Sequence, residues 1–136
     1  MLNTKPVQSY KINIYQKFWN LMQPIKEKYE NPNQPRSMLI WGWLDKGCWM
    51  YDDLNYEQQN LVKKTLLEIN TKNDKRLMSR VYQTTMDHLI RFKNSHHLCT
   101  IQNAIDYALA TYIYLNKIGT NFNDTMIGFN QQINGL

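Results

Sequence analysis

Glycine is scarce in this chain, and its five copies are scattered, so no glycine-rich loop is available to cradle phosphate. Cysteine is scarcer. Cys48 and Cys99 alone cannot build a disulfide framework, and a reduced compartment is a simpler reading than one bridge between them. His88, His96, His97 and Cys99 are the one cluster of candidate metal ligands. Structural zinc takes two spaced pairs, and no second pair exists, so the expectation is no metal. Neither cysteine has a base and an orienting acid at a telling spacing, which argues against nucleophilic catalysis. Long apolar runs are absent too. The longest weakly charged stretch, residues 104–115, contains Asp106 and falls short of the roughly 20 residues a membrane-spanning helix needs. The start of the chain has no apolar core followed by a small-residue cleavage site, so it does not read as a secretory signal.

What remains is 136 residues, enough for one domain, with a formal net charge of +5. Such a surface suits an acidic partner, anionic lipid or nucleic acid, and excludes an acidic mimic of nucleic acid. Lys5, Lys11, Lys17 and Lys26 precede the first acidic residue, Glu27, a mild likeness to a mitochondrial targeting segment. Four Trp, nine Tyr, four Phe and seven Met are many large side chains for this length. They fill a core or contact a partner.

Periodicity predicts an all-α chain of about four helices in an extended, non-bundle arrangement, ending in an irregular tail. Residues 1–35 read as an N-terminal helix and loop. Ser9 is the expected N-cap, Ile12, Tyr15, Phe18, Trp19 and Met22 form the apolar stripe, and Pro24 marks the end. Residues 36–55 read as an aromatic loop that cannot bury Trp41, Trp43 and Trp49 by itself. Residues 56–118 form the helical body. Its first helix spans residues 56–69, with a capping box between Asn55 and Gln58 and a stripe of Leu61, Val62, Leu66 and Ile69. Its second starts at Asp74 as cap and turns Met78, Val81, Tyr82, Thr85, Leu89 and Phe92 inward. Its third runs over about residues 100–118, with Ile101, Ile105, Ala108, Leu109, Tyr112 and Leu115 inward. Residues 119–136 read as an extended tail needing a host. All of this belongs to one domain.

Asp52 and Asp53 are adjacent, so their side chains diverge and cannot share a proton as a catalytic dyad. Anchoring a helix start or pairing with cations suits them better. Residues 63–93 carry eight basic side chains against three acidic ones. No reader motif accompanies them, so a partner-facing surface is the plainer reading than nucleic acid.

The run Lys46-Gly47-Cys48-Trp49-Met50-Tyr51-Asp52-Asp53-Leu54, a helix, and then Asp74-Lys75-Arg76-Leu77-Met78-Ser79-Arg80 resembles subunit seven of mitochondrial ubiquinol–cytochrome c reductase, respiratory complex III. Asp87 to Lys93 is similar to that family's basic, His-containing stretch, and the Tyr-containing last helix matches more loosely. The resemblance covers residues 41–93. It departs at Ile69-Asn70, where the family has Leu-Pro. It implies a non-catalytic accessory subunit without haem, iron–sulfur centre or other cofactor. Such a subunit sits on the matrix side of the mitochondrial inner membrane, with peripheral membrane contact. It binds cytochrome b and the core subunits in a hetero-oligomer and takes no nucleic acid. By carry-over, Asp52 and Asp53 are anchoring acids, and Arg76, Arg80 and Arg91 are partner-facing cations. Trp41, Trp43 and Trp49 join them as partner-binding residues on the loop argument. An accessory subunit of another respiratory complex and a small basic helical nucleic-acid-binding module stay open as alternatives.

Overall fold

Lys11, Ile12, Asn13 and Ile14 alternate polar with apolar, the period of a strand, and they lie in one: β1 (Ser9–Tyr15). It pairs antiparallel with β2 (Arg76–Tyr82), from Ser9 opposite Tyr82 to Tyr15 opposite Arg76. Ile12, Ile14, Ser79 and Val81 are buried on the inner face, while Lys11, Asn13, Met78 and Arg80 are exposed on the outer. The helical expectation for residues 9–15 and 76–82 is therefore corrected. Met78 and Tyr82, expected inward, face out. The computed structural model describes residues 8–29, 31 and 33–117; the expected tail, 119–136, lies outside them.

α1 (Gln16–Tyr29) continues directly from β1 and buries Phe18, Met22 and Ile25. It runs through Pro24 instead of ending there, because its buried stripe continues past the proline and outweighs one lost backbone bond. Its start is held from far along the chain. Lys75 O accepts from Gln16 N at 2.9 Å, and Asp74 Oδ2 accepts from Lys17 N at 2.9 Å. Asp74 is thus a helix cap, as expected, but of the first helix and not of the one after it.

α2 (Arg36–Asp53) replaces the expected aromatic loop. Leu39, Ile40, Trp43, Leu44, Gly47, Cys48 and Tyr51 recur every three or four residues and are all buried, the signature of an amphipathic helix. α3 (Tyr56–Ile69) has the expected bounds, and its capping box forms in both directions: Asn55 Oδ1 accepts from Gln58 N at 2.8 Å, and Gln58 Oε1 from Asn55 N at 3.1 Å. Its buried face is Val62 and Thr65, with Leu61 exposed. α4 (Gln83–Ser95) follows β2 without a break and buries Thr85, Leu89 and Phe92.

α5 (Ile101–Lys117) is the centre. Ala104, Ile105, Ala108, Leu109, Ala110, Tyr112, Ile113 and Leu115 are all buried, so most of the helix surface is covered by its neighbours. α2, α3, α4, α1 and the sheet all pack on it. Where α2 crosses, Gly47 leaves no room for a side chain: a Cβ there would stand 2.3 Å from Ala108 O. The described chain is mostly helical, with five helices and a two-stranded sheet gathered about α5, in place of four helices in an extended array.

Candidate functional site

The eight residues singled out from sequence part company in the fold. Trp43 is 2 % exposed and packs against Trp19 with ring centroids 5.8 Å apart. It is a core residue, which takes it off any partner surface. Asp53 is exposed at the end of α2.

Asp52, Trp49 and Arg91 meet in a trough between α2 and α4. Asp45, Cys48, Trp49 and Asp52 come from one face of α2, and His88, Arg91, Phe92 and Ser95 from one face of α4, enclosing about 380 Å³. Two carboxylate–imidazole contacts tie the helices together. Asp45 Oδ1 lies 2.8 Å from His88 Nδ1, and Asp52 Oδ1 lies 2.6 Å from His96 Nε2. The two aspartates are two helical turns apart, about 10 Å. Thr85 donates its hydroxyl to Asp45 Oδ2 at 3.2 Å, and His96 also meets the rings of Tyr51 and Phe92.

An Asp–His contact beside a thiol has the outline of a nucleophilic site. Burial, and then the charges of Asp45 and Asp52, push the Cys48 thiol up to about 12. It stays protonated at neutral pH, the form with little nucleophilic power. Tyr51 is likewise pushed up to about 12, first by burial and then by Tyr107 and Asp52. No group of three or more His, Cys, Asp or Glu among the described residues is placed to hold a metal ion.

Trp41 and Arg80 belong to a second surface, where the outer face of the two-stranded sheet meets the start of α2. Trp41 packs edge-on to Tyr82 at 4.9 Å, and its indole N–H is buried with no acceptor among the described residues. Arg80 donates to Ser9 Oγ at 3.2 Å, and Arg36 to Met78 O at 3.4 Å. Met78, 53 % exposed, lies on this surface, as do Met38 and Tyr82, which are also exposed. The two hollows of this surface are lined by Arg36, Ser37, Met38, Trp41, Met78 and Arg80 among others, and by no carboxylate among the described residues. Across the sheet Lys11 lies directly opposite Arg80. Like charges so placed repel.

Arg76 goes elsewhere. Its guanidinium lies over the Tyr15 ring at 5.2 Å and donates to Tyr15 OH at 3.2 Å, on the rim of a polar cleft. Arg76 and Arg80 do share a face, through the two-residue period of a strand and not the turn of a helix.

Sequence reasoning passed over Asp45, Cys48, His88 and His96 as a group, and Met38 and Met78 as surface residues. A signal existed for the first: positions 45, 48, 49 and 52 form one face as soon as residues 36–53 are taken as helix. Among the described residues no helix is long and apolar enough to cross a membrane. No family model matches the sequence, and no curated protein or solved structure matches it either.

Proposed function

We propose that this chain is a non-catalytic subunit of a larger protein assembly, docked through the outer face of the sheet and the start of α2. The observation that carries the reading is the surface of Met38, Trp41, Met78, Arg80 and Tyr82, whose hollows meet no carboxylate among the described residues. Met, aromatic and Arg side chains are the types enriched at protein interfaces. The opposed pair Lys11 and Arg80 calls for negative charge from outside, and an arginine fork binds a partner carboxylate through two parallel bonds. The protonated Cys48 thiol supports a role without covalent catalysis.

The narrower reading is an accessory subunit of mitochondrial complex III, on the matrix side of the inner membrane, against cytochrome b and the core subunits. It rests on the resemblance of residues 41–93. The test is purification of the tagged full chain from native membranes, with Arg80→Glu and Met78→Asp in parallel. Cytochrome b and the core subunits should accompany the parent chain in fixed ratio and be lost from both variants. A different but stoichiometric set of proteins would remove complex III and keep the subunit reading. Recovery of the chain alone, or retention on DNA that collapses with salt, would overturn both.

A further inference from the structure

We propose that the polar cleft between the α3–β2 turn and the first two turns of α5 binds a neutral, polyhydroxylated ligand of one or two sugar rings. This goes beyond the docking surface, on a different part of the molecule. The cleft encloses about 610 Å³, within the usual range for small-molecule sites.

Its chemistry is set by three residues. Asp106, on the central helix, is only 7 % exposed yet lines the cleft. Its Oδ1 accepts from Gln102 Nε2 at 3.0 Å, and its Oδ2 takes no hydrogen bond from a described residue. Asn103 sits one turn earlier. Its Oδ1 is engaged by the Thr100 N–H and hydroxyl, which leaves the amide NH₂ as donor. Arg76 is held on the rim by Tyr15, with further N–H groups free to donate. A carboxylate oxygen beside an amide and a guanidinium matches a row of hydroxyls, each of which both donates and accepts.

Neutrality follows from the charges. Asp74 and Asp106 are balanced by Lys72 and Arg76, so the lining has no net formal charge with which to select an ion. Leu66 and the 79 % exposed Leu67 add an apolar wall of the kind that meets a sugar ring's C–H face. The turn is shaped by Asn70 and Asn73, with φ of 48° and 62°, a left-handed conformation asparagine tolerates better than most residues. Burial pushes the Asp106 carboxyl up to about 6, against the pull of Gln102 and Arg76. It is still mainly ionised at neutral pH, as an acceptor must be.

Saturation-transfer difference NMR on the full chain tests this, with D-glucose, D-galactose, D-mannose, maltose and myo-inositol as probes, and acetate and methylamine as charged comparators. At least one polyol should receive saturation, and neither ion should. Asp106→Asn can keep the Gln102 contact, and Leu67→Asp alters only an exposed position, so both variants should fold. Each should weaken polyol binding by about tenfold or more. Ile90→Ala, on the exposed side of α4, should leave it unchanged. Saturation of no polyol, a preference for acetate or methylamine, or full binding by both cleft variants would each overturn the proposal.

Discussion

Two glycines in α2 should respond to the same substitution with opposite sign. In a helix interior Gly→Ala gains roughly 0.5–1 kcal/mol, because alanine loses less backbone entropy on folding. At Gly42 nothing lies within 4 Å of the added methyl, so the variant should show that gain. At Gly47 the methyl would meet Ala108 O at 2.3 Å, its carbonyl carbon at 2.8 Å and its Cα at 2.9 Å. These are backbone atoms of an enclosed helix and cannot swing aside. Ordinary contact begins near 3.4 Å, so α2 and α5 must part by roughly 1 Å. Overpacking costs about 1–3 kcal/mol. The crossing is confined by the rest of the core, which places this case near the upper end. Subtracting the gain in propensity leaves Gly47→Ala about 2 kcal/mol less stable. Urea denaturation followed by far-UV circular dichroism reads both variants, provided the slope stays constant so that the midpoint reports stability. A Gly47→Ala protein as stable as its parent would refute the close crossing and the packing argument built on it.

Asp106 should make stability depend on pH in the direction opposite to most carboxylates. Its pKa is raised from 3.8 to about 6 in the fold, so the native state holds the extra proton, and stability should fall as pH rises between about 4 and 6. The full effect is on the order of 3 kcal/mol, and Asp106→Asn, melted across that range, should remove it. Cys48, with its thiol near 12, should resist a thiol reagent at pH 8 while exposed Cys99 reacts. One equivalent in the native protein and two in urea is the expected count, and two fast equivalents in the native state would contradict the burial. Trp43→Ala should cost about 3–5 kcal/mol as a cavity in the core. Trp49→Ala, at a residue 50 % exposed, should cost much less, and a denaturant series on the pair checks the difference.

The elements legible from sequence are those whose evidence is local. α3 announces itself by Asn55 and Gln58 three residues apart, and α5 by an apolar run too long for a strand. The strands were hidden because each spans seven residues, and what makes β1 a strand is β2, with Ser9 paired to Tyr82. Val81 and Leu89 fit a helical stripe in the sequence, but in the fold one belongs to a strand and the other to a helix. Residues 36–53 were obscured by two glycines and a crowd of aromatics that break the look of an amphipathic pattern without breaking its period. Asp74 shows the limit clearly. A capping residue is visible as a type, while the helix it caps depends on which turn folds back beside it. The α2 wall of the trough was within reach of a helical reading, but its pairing with α4 was not, since Asp45 and His88 are 43 positions apart.

The enclosure of α5 also orders events during synthesis. Helices α1, α2, α3 and α4 all emerge before the element they share, and each carries an apolar face that α5 covers. A nascent chain that has not yet released residue 101 has no means of closing its core, and the start of α1 stays untied until Asp74 and Lys75 appear. Folding of the described region is therefore deferred until α5 is free of the ribosome. For a chain translated at 5–20 residues per second, that leaves its uncovered faces open for several seconds, the interval in which a chaperone has most to hold.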